Sequence, residues 1–141
     1  MCVVLDTCVT IRALGNAGKY RELRESIVKK CDKIAFSKEI RKEWIGQTAK
    51  AGMSPSFLIA QLEKLESVGK LKFIGKSKLQ LVELNRRPTD KYDEKFLTIA
   101  LATKAKCIIT TDPHLLELDP YKWNGTDMRI FRPEDYRNLN H

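Results

Sequence analysis

The sequence has only two histidines, His114 and His141, and four cysteines, Cys2, Cys8, Cys31 and Cys107. No two cysteines form a C-x-x-C pair and the histidines do not cluster with them along the chain, so a zinc site is not expected. Three of the four cysteines lie in or beside apolar runs, the setting of buried free thiols, which points to reduced thiols in a reducing compartment. No stretch approaches the roughly 18 uninterrupted apolar residues of a membrane-spanning helix. The run Cys2-Val3-Val4-Leu5 meets Asp6 at once and is too short for a secretory signal. A cytoplasmic protein with no membrane association is the expectation. Internal repeats, low-complexity stretches and an internal domain boundary are also missing. The 141 residues therefore read as one domain, residues 1–141, long enough to bury a core.

Acids are in the minority. Lys plus Arg number 26 against 18 Asp plus Glu, a net charge of +8, and this surplus favours polyanionic partners through counterion release.

Apolar runs and helical periodicities alternate along the chain. Residues 2–5 predict a first strand. Val9, Ile11, Ala13 and Leu14 predict a turn or two of helix that closes on a loop with Gly15, Asn16 and Gly18. Tyr20, Leu23, Ile27, Val28 and Cys31 recur at helical spacing over 19–31. A second strand falls at 34–36. Ser37 then caps a helix with Ile40, Trp44 and Ile45 on its apolar face, and Ser54-Pro55 opens another that Gly69 ends. A strand is expected at 71–74, followed by irregular or extended chain and a loop at Arg86-Arg87-Pro88. Thr89 or Asp90 starts a well-buried helix running to Ala105. Residues 107–111 form a strand, 113–118 a short helix, "DPYKWNGTD" a turn-rich segment, 128–131 a last strand and "PEDYRNL" a terminal helical turn. This alternation predicts an α/β domain with a mostly parallel sheet, in which ligands bind outside the carboxyl ends of the strands.

Two acids stand at such ends, Asp6 after "CVVL" and Asp112 after "CIITT". Asp112 before Pro113 also fits a helix cap, and the two roles are compatible. Glu39 and Glu43 lie one turn apart on a helix, with Glu43 at the edge of the apolar stripe. Asp90, Asp93 and Glu94 occupy the first turns of the buried helix, where acids also favour the helix dipole. Carboxylates converging in one cleft repel one another, and divalent cations with a preference for oxygen ligands offset that repulsion. In a basic chain, such a cluster points to phosphodiester hydrolysis.

The segments "VVLDTCVTIRAL", "FSKEIRKEW", "DEKFLTIALATKAKCIITTD" and "PHLLEL", in this order, resemble a PIN-domain protein from about Val3 to Leu118. The resemblance implies a three-layer α/β/α sandwich with a mostly parallel central sheet and a metal-dependent endoribonuclease. It implies catalytic residues Asp6, Glu43, Asp93 and Asp112. Asp6, Asp93 and Asp112 would hold Mg2+ or Mn2+, with Glu43 a ligand or a water-orienting group. Glu94 competes with Asp93 for the third acidic position. Thr7 and Thr110 would be supporting hydroxyls, and Cys8 departs from the family's usual Asn. Lys38, Arg41, Lys42, Arg86 and Arg87 are the candidate RNA-gripping cations. The resemblance further implies a homodimer, through 19–31 or 54–68, and either a VapC-type toxin with an antitoxin-like protein partner or an RNA-processing nuclease. The competing reading is a non-catalytic RNA-binding or scaffold protein that kept the fold.

Overall fold

Two strands, β1 (Cys2–Leu5) and β4 (Cys107–Ile109), carry apolar residues at successive positions rather than alternate ones. Val3, Val4, Leu5, Cys107, Ile108 and Ile109 are all buried. Strands buried on both faces need a covering layer on each side. The computed structural model describes residues 1–15 and 18–139, and the expected loop residue Asn16 and His141 lie outside the described residues. It places β1 and β4 at the centre of a six-stranded sheet with β2 (Lys33–Phe36), β3 (Leu71–Phe73), β5 (Tyr121–Trp123) and β6 (Thr126–Phe131), in the order β3-β2-β1-β4-β6-β5. Every pairing is parallel except β5 with β6.

Helices cover both faces. On one set of contacts α1 (Thr7–Leu14) packs with α2 (Gly18–Lys29), α3 (Lys38–Gly46) and α4 (Pro55–Ser67). The short α5 (Lys76–Leu79) packs against α6 (Glu94–Thr103), which lies across β1, β2 and β4. The chain finishes with α7 (Pro113–Leu116) and α8 (Pro133–Arg137), the latter against α2 and β6. The result is a three-layer α/β/α sandwich. Helix starts follow side-chain chemistry. Ser37 Oγ accepts the Ile40 amide at 3.1 Å and Ser54 Oγ accepts that of Phe57 at 3.2 Å, with Pro55 in the first turn. The buried faces then hold the layers: Ile40 and Trp44 of α3, Leu58 and Leu62 of α4, Phe96, Leu97 and Ile99 of α6. Each large apolar side chain so buried contributes about 1.5–3 kcal/mol. Among the described residues no helix is long and apolar enough to cross a membrane.

The topology fixes where a site can form. From β1 the chain moves outward to β2 and β3, then returns to β4 on the other flank of β1. Strand order therefore reverses between β1 and β4, and the crevice beyond their carboxyl ends is the natural ligand position. The register pairs Leu5 with Ile109, which sets Asp6 and Thr110 level at the lip.

Several local expectations needed correction. β4 stops at Ile109; the Thr110 amide still reaches the Phe131 carbonyl at 2.9 Å, and the chain turns after it at Asp112, which opens α7. The irregular stretch after β3 contains α5. The helix expected from Thr89 or Asp90 begins as a 3-10 turn, Lys91–Asp93, capped by Asp90, and becomes α-helical at Glu94. The segment "DPYKWNGTD" holds a strand and a hairpin turn. Asn124 and Gly125 both take positive φ, 48° and 79°, the two-residue turn whose twist matches that of paired strands. The thiols are free, but Cys8 and Cys31 are exposed, so only Cys107 is fully buried and Cys2 half-buried.

At the opposite end of the sheet, Asp32 is buried just before β2. Its Oδ2 accepts from the Lys106 ammonium at 3.1 Å and from the Tyr136 hydroxyl at 2.8 Å. Lys30 donates to the Tyr136 and Leu139 carbonyls at 2.7 and 2.9 Å, so α8 is tied to the amino-terminal ends of β2 and β4. Burial, followed by Asp32, holds the Tyr136 phenol protonated and therefore always able to donate. Tyr136→Phe removes one donor from a buried carboxylate and is expected to lower unfolding stability by about 1–3 kcal/mol, measured as a drop in the urea midpoint at unchanged slope.

Candidate active site

Asp6 leaves β1 in extended conformation and immediately caps α1, its Oδ1 accepting the Val9 amide at 2.8 Å. Its Oδ2 accepts from the Thr110 hydroxyl. The Asp6 amide donates to the Ile109 carbonyl at 3.2 Å, so the residue is bound to the β4 side by backbone and side chain. Burial raises its carboxyl above the ordinary range, against the lowering effect of Thr110 and the Val9 amide.

Asp112 fulfils the capping role that the sequence left open to it. Its Oδ1 accepts the His114 amide at 2.9 Å and caps α7. Its own amide donates to Thr110 Oγ1 at 2.9 Å, and its carboxyl stands near that of Asp93. Asp93 ends the 3-10 turn and is only 2% exposed. Its Oδ2 is buried with no hydrogen-bond partner among the described residues. Burial, then the neighbouring Asp112 carboxyl, push the Asp93 carboxyl up to about 7.

Glu94, the competing acid, is turned elsewhere. It pairs with Arg87 at 3.0 Å and lines a neighbouring cleft with Glu39 and Lys95. The geometry thus brings Asp93, and not Glu94, against Asp112.

Glu43 is held from three directions. Its Oε1 accepts from the Thr7 and Tyr92 hydroxyls, and its Oε2 pairs with the Lys95 ammonium at 2.7 Å, both side chains only 13% exposed. Sequence reasoning missed Tyr92 and Lys95. The signal was their i, i+3 spacing, which places an ammonium over an aromatic ring. Lys95 Nζ lies 3.4 Å from the Tyr92 ring centroid. Burial and Glu43 raise the Tyr92 phenol, keeping it a donor.

The donor oxygens of Asp6, Asp93 and Asp112 suit a hard divalent cation. Even so, among the described residues no group of three or more His, Cys, Asp and Glu closes to the spacing of a metal cluster. Asp6 caps α1 and accepts from Thr110, Glu43 pairs with Lys95, and Asp93 and Asp112 are the facing pair.

The candidate RNA-gripping cations divide. Lys38, Arg41 and Lys42 are exposed on α3. Arg87 is on the rim with Glu94. Arg86 is already engaged: its guanidinium donates to the Leu118 carbonyl at 2.9 Å and lies 5.6 Å from the Tyr121 ring centroid, which pins its loop to the hairpin.

The family model of the PIN domain matches residues 2–114, which covers β1 through the start of α7 and every acid described above. The chain belongs to the PIN-domain family. PIN domains are generally nucleases, and those nucleases generally use divalent metal ions. Comparison with curated proteins gives no match. The hairpin of β5 and β6 and α8 lie beyond the matched region of this PIN-domain chain.

The raised carboxyl of Asp93 has a thermodynamic consequence in the metal-free protein. Its pKa moves from 3.8 to about 7 on folding. Between those values the folded state keeps a proton that the unfolded chain has lost. The contribution of Asp93 is therefore fully present below about pH 4 and is lost as pH rises toward 7. Asp93→Asn, which needs no proton, is expected to raise stability at pH 7.5 in EDTA by about 1–3 kcal/mol and to flatten the fall between pH 5 and 7. Thermal melts across that range check both effects; equal slopes for the two proteins would refute the assignment.

Proposed function

We propose that the protein is a divalent-metal-dependent endoribonuclease, with Asp93 and Asp112 as the principal ligands of Mg2+ or Mn2+ and Asp6 completing the acidic set. The observation that carries this reading is the buried, unpartnered Oδ2 of Asp93 beside Asp112, at the point where the strand order reverses. A carboxylate oxygen left without a donor in a buried crevice is costly unless a cation reaches it. Magnesium takes one or two carboxylates and completes its shell with water and phosphate oxygens, so two facing acids suffice without a closed cluster. When bound, such an ion would stabilise charge on the phosphate and make a water more acidic.

The chain's own residues supply the remainder. Thr110 holds Asp6 and Asp112 in fixed relation. Glu43 acts by position, keeping Tyr92 and Lys95 at the edge of the acidic crevice. The net charge of +8 favours a polyanion, and Lys38, Arg41, Lys42 and Arg87 are the exposed cations proposed to track its backbone. RNA over DNA, a homodimer and an antitoxin-like partner rest on the family resemblance.

Mixed single-stranded RNA and DNA substrates are to be incubated with Mg2+, Mn2+ or EDTA, wild type beside Asp112→Asn. RNA cleavage is expected with either metal, none in EDTA, and a loss of at least about 100-fold in the variant. Activity that survives both EDTA and the substitution would overturn the mechanism. Mn2+ binding and RNA binding without cleavage would favour the non-catalytic reading.

A further inference from the structure

A pocket of about 470 Å3 adjoins the acidic crevice, within the size range of small-molecule sites. Thr7 and Tyr92 form the wall shared with the crevice, since both hydroxyls are bonded to Glu43. Ile11 supplies apolar surface, Arg12 and Lys50 supply positive charge, and Cys8 is exposed at its edge. Among the described residues no Asp or Glu lines it. The cleft on the other side of Tyr92 carries Glu39 and Glu94 opposite its lysines and lacks this uniform sign.

The pocket is prepared in two respects. Arg12 is held by Tyr20, donating to its hydroxyl at 3.4 Å with the guanidinium 5.6 Å from the ring centroid, so little side-chain freedom is left to lose on binding. Tyr92 is fixed by its hydroxyl while the residue stays 45% exposed. Lys95, which lines the neighbouring cleft, lies over the ring, and Tyr92, partly exposed, also lines this pocket. An anchored, partly exposed aromatic flanked by cations is the arrangement that binds single-stranded nucleic acid by base stacking and phosphate contact.

We propose that this pocket is a nucleotide subsite, which takes the nucleotide next to the scissile bond with its base against Tyr92 and its outer phosphate reached by Arg12 and Lys50. The inference rests on the nuclease reading for the word scissile; the nucleotide binding itself does not. A strand crossing from the acids to this pocket passes from a region that needs a cation to one that supplies two. Selectivity follows from this arrangement: stacking tolerates any base, whereas the pocket demands that the base be unpaired and turned out, so single-stranded nucleic acid is favoured over duplex.

The test uses the full chain in EDTA. Uridine 5′-monophosphate and 3′-monophosphate are titrated while alkylation of Cys8 is followed by peptide mapping. Cys31, exposed beside Asp32 at the far end of the sheet, serves as the internal reference. At ten times its Kd, a nucleotide in the pocket slows Cys8 about tenfold and leaves Cys31 unchanged. The better protector of the two shows which side of the bond the pocket serves. Arg12→Ala and Lys50→Ala, both at exposed positions, are expected to abolish protection and to raise KM for a short RNA about tenfold at little-changed kcat. Unprotected Cys8 with active wild type overturns the subsite and leaves the nuclease reading standing. Protection lost on Arg12→Ala in a protein that cleaves nothing sustains the subsite and overturns the nuclease reading.

Discussion

The Thr110 hydroxyl joins the two strand ends on which the crevice is built. Its oxygen accepts the Asp112 amide at 2.9 Å, so its single proton is free to go to Asp6, and it does. One atom thereby ties the exit of β4 to the exit of β1. The strand register has already set Leu5 level with Ile109, which lets a side chain as short as threonine span the gap. Asp6 must accept, because its other oxygen is committed to the Val9 amide at the start of α1. The first helix, the central strand pair and the turn into α7 are therefore positioned by one short chain of hydrogen bonds. The acids that this chain supports inherit its order.

Four carboxylates in and beside one crevice repel one another, and the protein's net positive charge does little at this range, since exposed charges are screened beyond about 10 Å. Each acid is eased by a different local partner. Asp6 has two donors, Glu43 has an ammonium and two hydroxyls, and Asp112 has the α7 amide. Asp93 has none of these for its Oδ2 and is eased only by keeping a proton. Any cation binding beside that carboxyl would be coupled to loss of its proton. This is the physical link between the electrostatics of the resting protein and the divalent-metal chemistry general to its family.

What could be read from the sequence was what local chemistry decides. Asp6, Ser37, Ser54 and Asp112 each end one element and open the next, and a capping side chain announces itself within three residues. The parallel core was legible because β1 and β4 are apolar without alternation. The Asn124-Gly125 turn also carried a local signal, but the strand before it is three residues with an exposed lysine and shows little pattern of its own. Proximity to an apolar run did not decide the burial of Cys8: on a helix starting at Thr7, Thr7, Thr10, Ile11 and Leu14 face inward, and Cys8 with Arg12 faces out. The partners of Arg86, Asp32, Tyr92 and Lys95 were not legible for a different reason. Those partners, Leu118, Tyr136, Glu43 and again Glu43, are brought to them only by the tertiary fold.

Glu43 shows why the position of an acid in a family pattern does not by itself define its task. The Glu43 carboxylate already accepts from two hydroxyls and an ammonium. Two of those donors, Tyr92 and Lys95, flank Asp93 in the chain. By gripping them, Glu43 links α3 to the 3-10 turn and the first turn of α6, and so sets where the Asp93 carboxyl stands relative to Asp112. The same grip fixes the Tyr92 ring between the crevice and the cationic pocket. Glu43 thus bears on the acids through the backbone and on the pocket through a ring, and both effects are transmitted by geometry rather than by its own charge, which Lys95 already balances.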